Sequence, residues 1–78
     1  MERELHDFLA ELEWQYVEAL SRSTQCGAMV RNHIKACSAC QQRENENVDT
    51  KLAVMNAEKA RRIIELGERL ARDFLASR

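Results

Sequence analysis

The 78-residue chain has 12 basic and 13 acidic residues, a formal net charge of −1, and a hydrophobic content of 45%. This length limits it to one small domain, and we expect residues 1–78 to form a single helical unit. The near-neutral charge argues against nucleic-acid binding, and no stretch approaches the ~20 apolar residues of a membrane span. We also find no Ser/His/Asp set and no phosphate-binding glycine loop, so we expect no enzyme activity.

The start of the chain and its cysteine count indicate a cytoplasmic protein. The opening residues Met1–Glu4 lack the basic start and the apolar stretch of a signal peptide. Three cysteines are an odd number, which is unsuited to a framework of disulfides.

Three helices are predicted, because the chain has no proline, only two glycines and many helix-favouring residues. The first helix, about residues 2–20, follows apolar residues at helical spacing. The second covers about residues 27–42, and residues 43–49 form a polar linker. The third covers about residues 50–76, so the expected fold is an all-α bundle of three helices.

The third helix has an apolar face wider than the rest of such a short chain can cover. Counting its alanines, the face spans roughly 200°, against the ~100° stripe of an ordinary surface helix. We therefore expect Leu66, Leu70 and Phe74 to contact a protein partner, or a second copy of the chain in a homo-oligomer. Trp14 and Val17 lie opposite the main stripe of the first helix. They form either another partner-binding surface or a second packing face.

Charge is segregated along the chain. Residues 1–20 hold six acidic residues against Arg3, whereas residues 21–43 hold four basic residues and no acidic one. Antiparallel docking of the first two helices would bring these charges together. Contact between the acidic first helix and a basic partner is the alternative explanation.

The string from His33 to Cys40 has the spacing H-x3-C-x2-C. Positions i, i+4 and i+7 share one helix face, so the three side chains point the same way. Imidazole nitrogen at ~2.0–2.1 Å and thiolate sulfur at ~2.3 Å are ligands that zinc binds in a tetrahedron. Cys40 joins such a site if the helix ends near it. A structural site then needs a fourth ligand.

Two residues are candidates for the fourth position. His6 lies at the edge of the apolar stripe of the first helix, and an antiparallel hairpin of the first two helices brings it towards the second. Cys26 precedes His33 by seven residues, which is roughly 10 Å along a continuous helix and too far for the same ion. A bend at Gly27 would shorten that separation. We favour His6.

His6, followed after 26 residues by His33-x3-Cys37-x2-Cys40, resembles the signature of the zinc-binding anti-sigma factor family. The resemblance covers about residues 5–42. Carried over residue by residue, it implies that His6, His33, Cys37 and Cys40 are zinc ligands. It further implies a helical domain that wraps a bacterial sigma factor and hides its polymerase-binding surfaces. In some members, oxidation of the zinc thiols, here Cys37 and Cys40, releases the metal and the sigma factor.

A second hypothesis comes from a different class of protein. In it the chain is a metal-free helical module that forms homo-oligomers through the broad face of its third helix, and its cysteines only pack. The two hypotheses differ in their response to a chelator. Helicity is lost if zinc stabilises the fold, and it is unchanged if no metal is bound.

Overall fold

Helices form most of the chain in the computed structural model, which describes residues 2–47 and 55–76. They are α1 (Glu2–Ala10), α2 (Trp14–Ser21), α3 (Gly27–Ala36), α4 (Ser38–Glu46) and α5 (Ala57–Ala76). The all-helical prediction is confirmed for these residues, which contain no strand, although they form five helices in place of the expected three. The predicted start of the last helix near residue 50 lies outside the described residues, but Met55 and Asn56 are not helical, and α5 begins at Ala57. None of the described helices is both long and apolar enough to cross a membrane.

The predicted first helix is divided in two. α1 ends at Ala10, and Glu13 is extended, with φ −65° and ψ 148°, before α2 begins at Trp14. No proline or glycine lies in this corner, so local propensity does not explain it. The Arg43 guanidinium of α4 donates hydrogen bonds to the carbonyl oxygens of Leu9 and Leu12. This long-range contact satisfies carbonyls that a continuous helix would have used itself.

The predicted second helix is also divided, at Cys37. This residue is extended, with φ −107° and ψ 113°, between the end of α3 and the start of α4. α4 then continues to Glu46, so residues 43–46 are helical and not part of a polar linker. The Gln41 side-chain amide donates to the Lys35 carbonyl oxygen across the break. The break therefore falls between the predicted metal ligands, and its consequence is described below.

The core draws on all five helices, and α2 contacts both α3 and α5. The buried apolar side chains of this core are each 7% exposed or less. The largest of those that are fully buried are Leu9, Val17, Leu20, Cys26 and Val30. α5 lies close to this core because Gly67 has no side chain. A Cβ at that position would come 2.7 Å from Leu20 Cδ2 and 3.3 Å from Cys26 Sγ. Gly67 thus allows the helix backbones to approach closely.

Trp14 and Val17 belong to the core and are not an exposed partner-binding surface. Trp14 is 4% exposed and Val17 is 0% exposed. The Trp14 indole N–H donates to Glu18 Oε1 at 3.2 Å, and the Arg43 guanidinium lies 5.3 Å from the indole centroid. A second packing face, the alternative explanation for these residues, is therefore correct for this fold. On α5, by contrast, Leu66 is 51% exposed.

The basic residues of the middle segment mainly contact helix ends. Arg43 binds carbonyls at the end of α1, and Arg31 donates to the carbonyl oxygen of Ser21 at the end of α2. Among the described residues, the only ion pair between the acidic segment 1–20 and the basic segment 21–43 is that of Glu18 with Arg22. Arg31 and Arg43 therefore contact the partial negative charge at helix C-termini rather than the carboxylates of the first segment.

Candidate metal centre

Four side chains from three helices meet at one point. His6 comes from the middle of α1, His33 from the last turn of α3, Cys37 from the break, and Cys40 from the first turn of α4. One nitrogen or sulfur atom from each lies within 4.8 Å of the corresponding atom of every other. The structure thus brings together the four residues that the spacing pattern singled out, close enough to hold a metal ion.

The three distances from His6 Nδ1 to the other members of the cluster match the edges of a tetrahedron around zinc. His6 Nδ1 lies 3.3 Å from His33 Nε2, 3.6 Å from Cys37 Sγ and 3.7 Å from Cys40 Sγ. With zinc–ligand bonds of ~2.05 Å to nitrogen and ~2.3 Å to sulfur, tetrahedral edges are about 3.3 Å between nitrogens and about 3.6 Å between nitrogen and sulfur. The position of His6 relative to the other three residues is therefore compatible with a shared zinc ion.

The break at Cys37 makes this geometry available. In a continuous helix, His33 and Cys40 would be separated by roughly 10 Å along the axis, which is too far for one ion. Because Cys37 is extended, α4 starts in a new direction and its first turn brings Cys40 to the cluster. The sequence pattern required a helix end near Cys40, but α3 already ends at Ala36, four residues earlier.

The cluster is largely enclosed by protein. Cys40 is 5% exposed and His33 is 9% exposed, whereas His6 and Cys37 are half-buried. The two imidazole rings lie at a tilt of 54° with their centroids 5.4 Å apart. Four protein ligands are the number that structural zinc sites use, whereas catalytic zinc sites typically use three and keep one position open.

The environment of Cys40 favours the protonated thiol when no metal is bound. Burial, together with a hydrogen bond and the charge from Cys37, raises the pKa of the Cys40 thiol to about 11, and the positive charge of Arg43 opposes this rise. Metal ions bind the thiolate, so a bound cation has to displace this proton. Binding is therefore coupled to pH.

We expect the apparent metal affinity to rise by at least about tenfold per pH unit between pH ~7 and ~8. In this range the Cys40 proton must leave on metal binding, because the pKa of its thiol, about 11, is far above the solution pH. Calorimetric titration in buffers of different ionisation enthalpy measures the protons released. The Cys40→Ser variant is the control and should release fewer protons. An affinity independent of pH would contradict thiolate ligation by Cys40.

Cys26, the alternative fourth ligand, lies apart from the cluster. Its side chain is fully buried, and its thiol contacts the Leu20 carbonyl oxygen at 3.8 Å. It also lies beside Gly67 of α5, at 3.3 Å from where a Cβ would stand. Between the two candidates for the fourth position, the structure places His6 in the cluster and Cys26 in the apolar core.

Arg43 is the residue near the site that the sequence pattern did not single out. It follows Cys40 by one helical turn, and both of its terminal nitrogens are used on carbonyls of the α1 end. Its only sequence signal is a basic residue one turn after the last ligand, which is too common to be diagnostic.

Comparison with family profiles, with curated proteins and with solved structures found no match to this chain. The resemblance to the zinc-binding anti-sigma factors thus remains an expectation that rests on His6, His33, Cys37 and Cys40.

Proposed function

We propose that this protein is a zinc-stabilised helical regulator that binds and sequesters a protein partner in the cytoplasm. A bacterial sigma factor is the partner we propose first, because the ligand spacing resembles that of the zinc-binding anti-sigma factors. The observation that carries the proposal is the cluster of His6, His33, Cys37 and Cys40, in which His6 Nδ1 lies 3.3–3.7 Å from an atom of each of the other three.

The donor set and the size of the chain both support zinc. Two thiolates and two imidazoles in a tetrahedron are typical of zinc, whereas calcium and magnesium prefer oxygen ligands. A chain of this length buries too little surface to be very stable by its core alone, and structural metals often compensate. Zinc would join α1, α3 and α4 at their meeting point.

An apolar stripe on α5 supports the partner-binding part of the proposal. Leu66, Leu70 and Phe74 are spaced by four residues, and the stripe extends from the half-exposed Leu66 to the half-buried Leu70 and Phe74. Leu75, near the end of α5, is 61% exposed. A partner that covers Leu66 would extend the buried area of this stripe beyond the half-buried Leu70 and Phe74.

Native mass spectrometry of protein purified without added metal or chelator tests the metal. We expect one zinc per chain in the wild type and in Cys26→Ala, and a much lower zinc occupancy in His6→Ala, which keeps only three of the four clustered side chains. Cys26→Ala is the matched control, because Cys26 is a buried cysteine outside the cluster. Absence of zinc from the wild type, with a stable dimer, would favour the metal-free homo-oligomeric module instead.

Binding to a panel of purified bacterial sigma factors tests the partner. We expect at least one to be retained by the zinc-loaded protein, and Leu66→Asp to weaken that binding by at least ~10-fold, because a charge at the centre of an apolar contact is costly. Glu65→Ala, at the neighbouring exposed position, should bind as the wild type does. Retention of no sigma factor would refute this choice of partner while leaving the zinc site standing.

A further inference from the structure

One arginine side chain connects α1 and α4, the helices that carry His6 and Cys40. These are the two residues of the cluster that are farthest apart in the sequence. From α4, Arg43 Nη1 donates to the Leu9 carbonyl oxygen at 2.7 Å, and Nη2 donates to the Leu12 carbonyl oxygen. Its guanidinium also lies over the Trp14 ring, 5.3 Å from the centroid. These contacts hold the α1–α2 corner against α4.

The position of this contact relative to the metal cluster is informative. Leu9 follows His6 by three residues on α1, and Arg43 follows Cys40 by three residues on α4. Three residues are close to one helical turn, so the Arg43–Leu9 bond lies about one turn beyond the cluster on both helices. The bond therefore connects the two segments that carry His6 and Cys40, close to the cluster.

We propose that Arg43 is a positioning residue of the metal centre: by binding the end of α1 it holds His6 within bonding distance of a metal carried by Cys37 and Cys40. This inference rests on the proposed zinc site. α1 has only nine residues and makes no covalent link to α3 or α4 in this region, and a helix that short is marginal alone. His6 is also the one ligand outside the 33–40 segment, so its placement depends on how α1 docks.

The chemistry of the contact suits arginine and not lysine. Two separate carbonyl oxygens, three residues apart, each accept from a different guanidinium nitrogen. The planar fork presents such donors in a fixed arrangement while its face stacks on an aromatic ring, whereas a lysine ammonium is a single point of charge. Residues that orient metal ligands from outside the coordination shell typically change metal affinity by ~10–100-fold when substituted.

Arg31 provides a matched control within the same fold. It too donates a guanidinium N–H to a carbonyl at a helix end, that of Ser21 on α2, which is not one of the helices joined by Arg43 and His6. Loss of Arg31 thus removes a helix-end contact without touching the α1–α4 connection. Any effect specific to Arg43 then separates positioning of the metal site from general stabilisation.

The test is a double-mutant cycle on metal affinity, measured by competition with a chromogenic chelator. We expect Arg43→Gln to weaken zinc binding by ~10–100-fold, Arg43→Lys to lose less, and Arg31→Gln to change affinity by less than about twofold. If Arg43 acts through His6, then adding Arg43→Gln to His6→Ala causes little further loss, because the effects are not additive. The cobalt(II) complex of Arg43→Gln should keep its thiolate charge-transfer bands while its ligand-field bands shift towards those of His6→Ala.

The outcomes separate this inference from the proposed function. Wild-type affinity and an unchanged cobalt spectrum in Arg43→Gln would overturn the role of Arg43 and leave the zinc site standing. Fully additive losses in the double variant would also overturn it, because they would show action independent of His6. A wild-type chain that binds neither zinc nor cobalt would overturn both proposals.

Discussion

Removing the metal with a strong chelator is expected to abolish most of the helical circular dichroism signal. Structural zinc sites contribute apparent binding free energies of ~10–16 kcal/mol in small domains. The total stability of a small folded domain is only ~5–15 kcal/mol, so loss of such a site decides whether the chain folds. The effect should be large here, because α1, α3 and α4 have 9, 10 and 9 residues and meet at the cluster.

The reversal experiment makes this result specific. Adding zinc should restore the helical signal, whereas adding magnesium should not, because magnesium binds oxygen ligands. The same chelator treatment applied to His6→Ala should produce a smaller change, since that variant binds zinc more weakly and starts with less bound metal. Unchanged helicity of the chelated wild type would refute a zinc-stabilised fold and support the metal-free module.

Trp14→Ala is expected to lower the free energy of unfolding of the zinc-loaded protein by ~3–5 kcal/mol. This is the usual cost of removing a large buried aromatic side chain, since the lost apolar transfer is joined by a cavity. Trp14 is 4% exposed, donates to Glu18, and lies beneath the Arg43 guanidinium. Urea denaturation at saturating zinc measures the change.

The matched variant for this prediction is Leu66→Ala on α5. Leu66 is 51% exposed, so its truncation should change the free energy of unfolding by at most about 0.5 kcal/mol. The pair therefore separates a core residue from a candidate partner contact. A small effect of Trp14→Ala together with loss of partner binding would return Trp14 to the partner-binding surface predicted from the sequence.

The helical class and the metal cluster were accessible from the sequence for physical reasons. A chain without proline and with few glycines cannot form the turns of a sheet, and the described residues are helical. The spacing of His33, Cys37 and Cys40 is a local pattern, so the prediction that they lie close together does not depend on the exact helix boundaries. His6 was harder to place, because its distance from that segment depends on the packing of α1.

The two helix breaks could not be predicted from the sequence, because neither is marked by a residue that interrupts helices. Glu13 and Cys37 are extended in stretches without proline or glycine, where apolar periodicity continues across the break. The first break is stabilised from a distance by Arg43, and the second is accompanied by the bond from Gln41 to the Lys35 carbonyl. The burial of Trp14 could not be predicted either, because it depends on the first break. The change of direction at that corner turns the Trp14 side chain into the core.

In terms of chain entropy, a metal bound at this cluster would be a cross-link between residues 6 and 40, which are 34 positions apart. By the loop-closure relation used for disulfides, a cross-link of that span lowers the entropy of the unfolded chain. The corresponding free energy, TΔS, is about 4 kcal/mol at 25 °C. α5 lies beyond the closed loop and gains nothing from this restriction directly. Its attachment depends on contacts such as the close approach of Gly67 to Leu20. The loop closed by the metal and the docking of α5 are thus two separately adjustable contributions to the stability of one small fold.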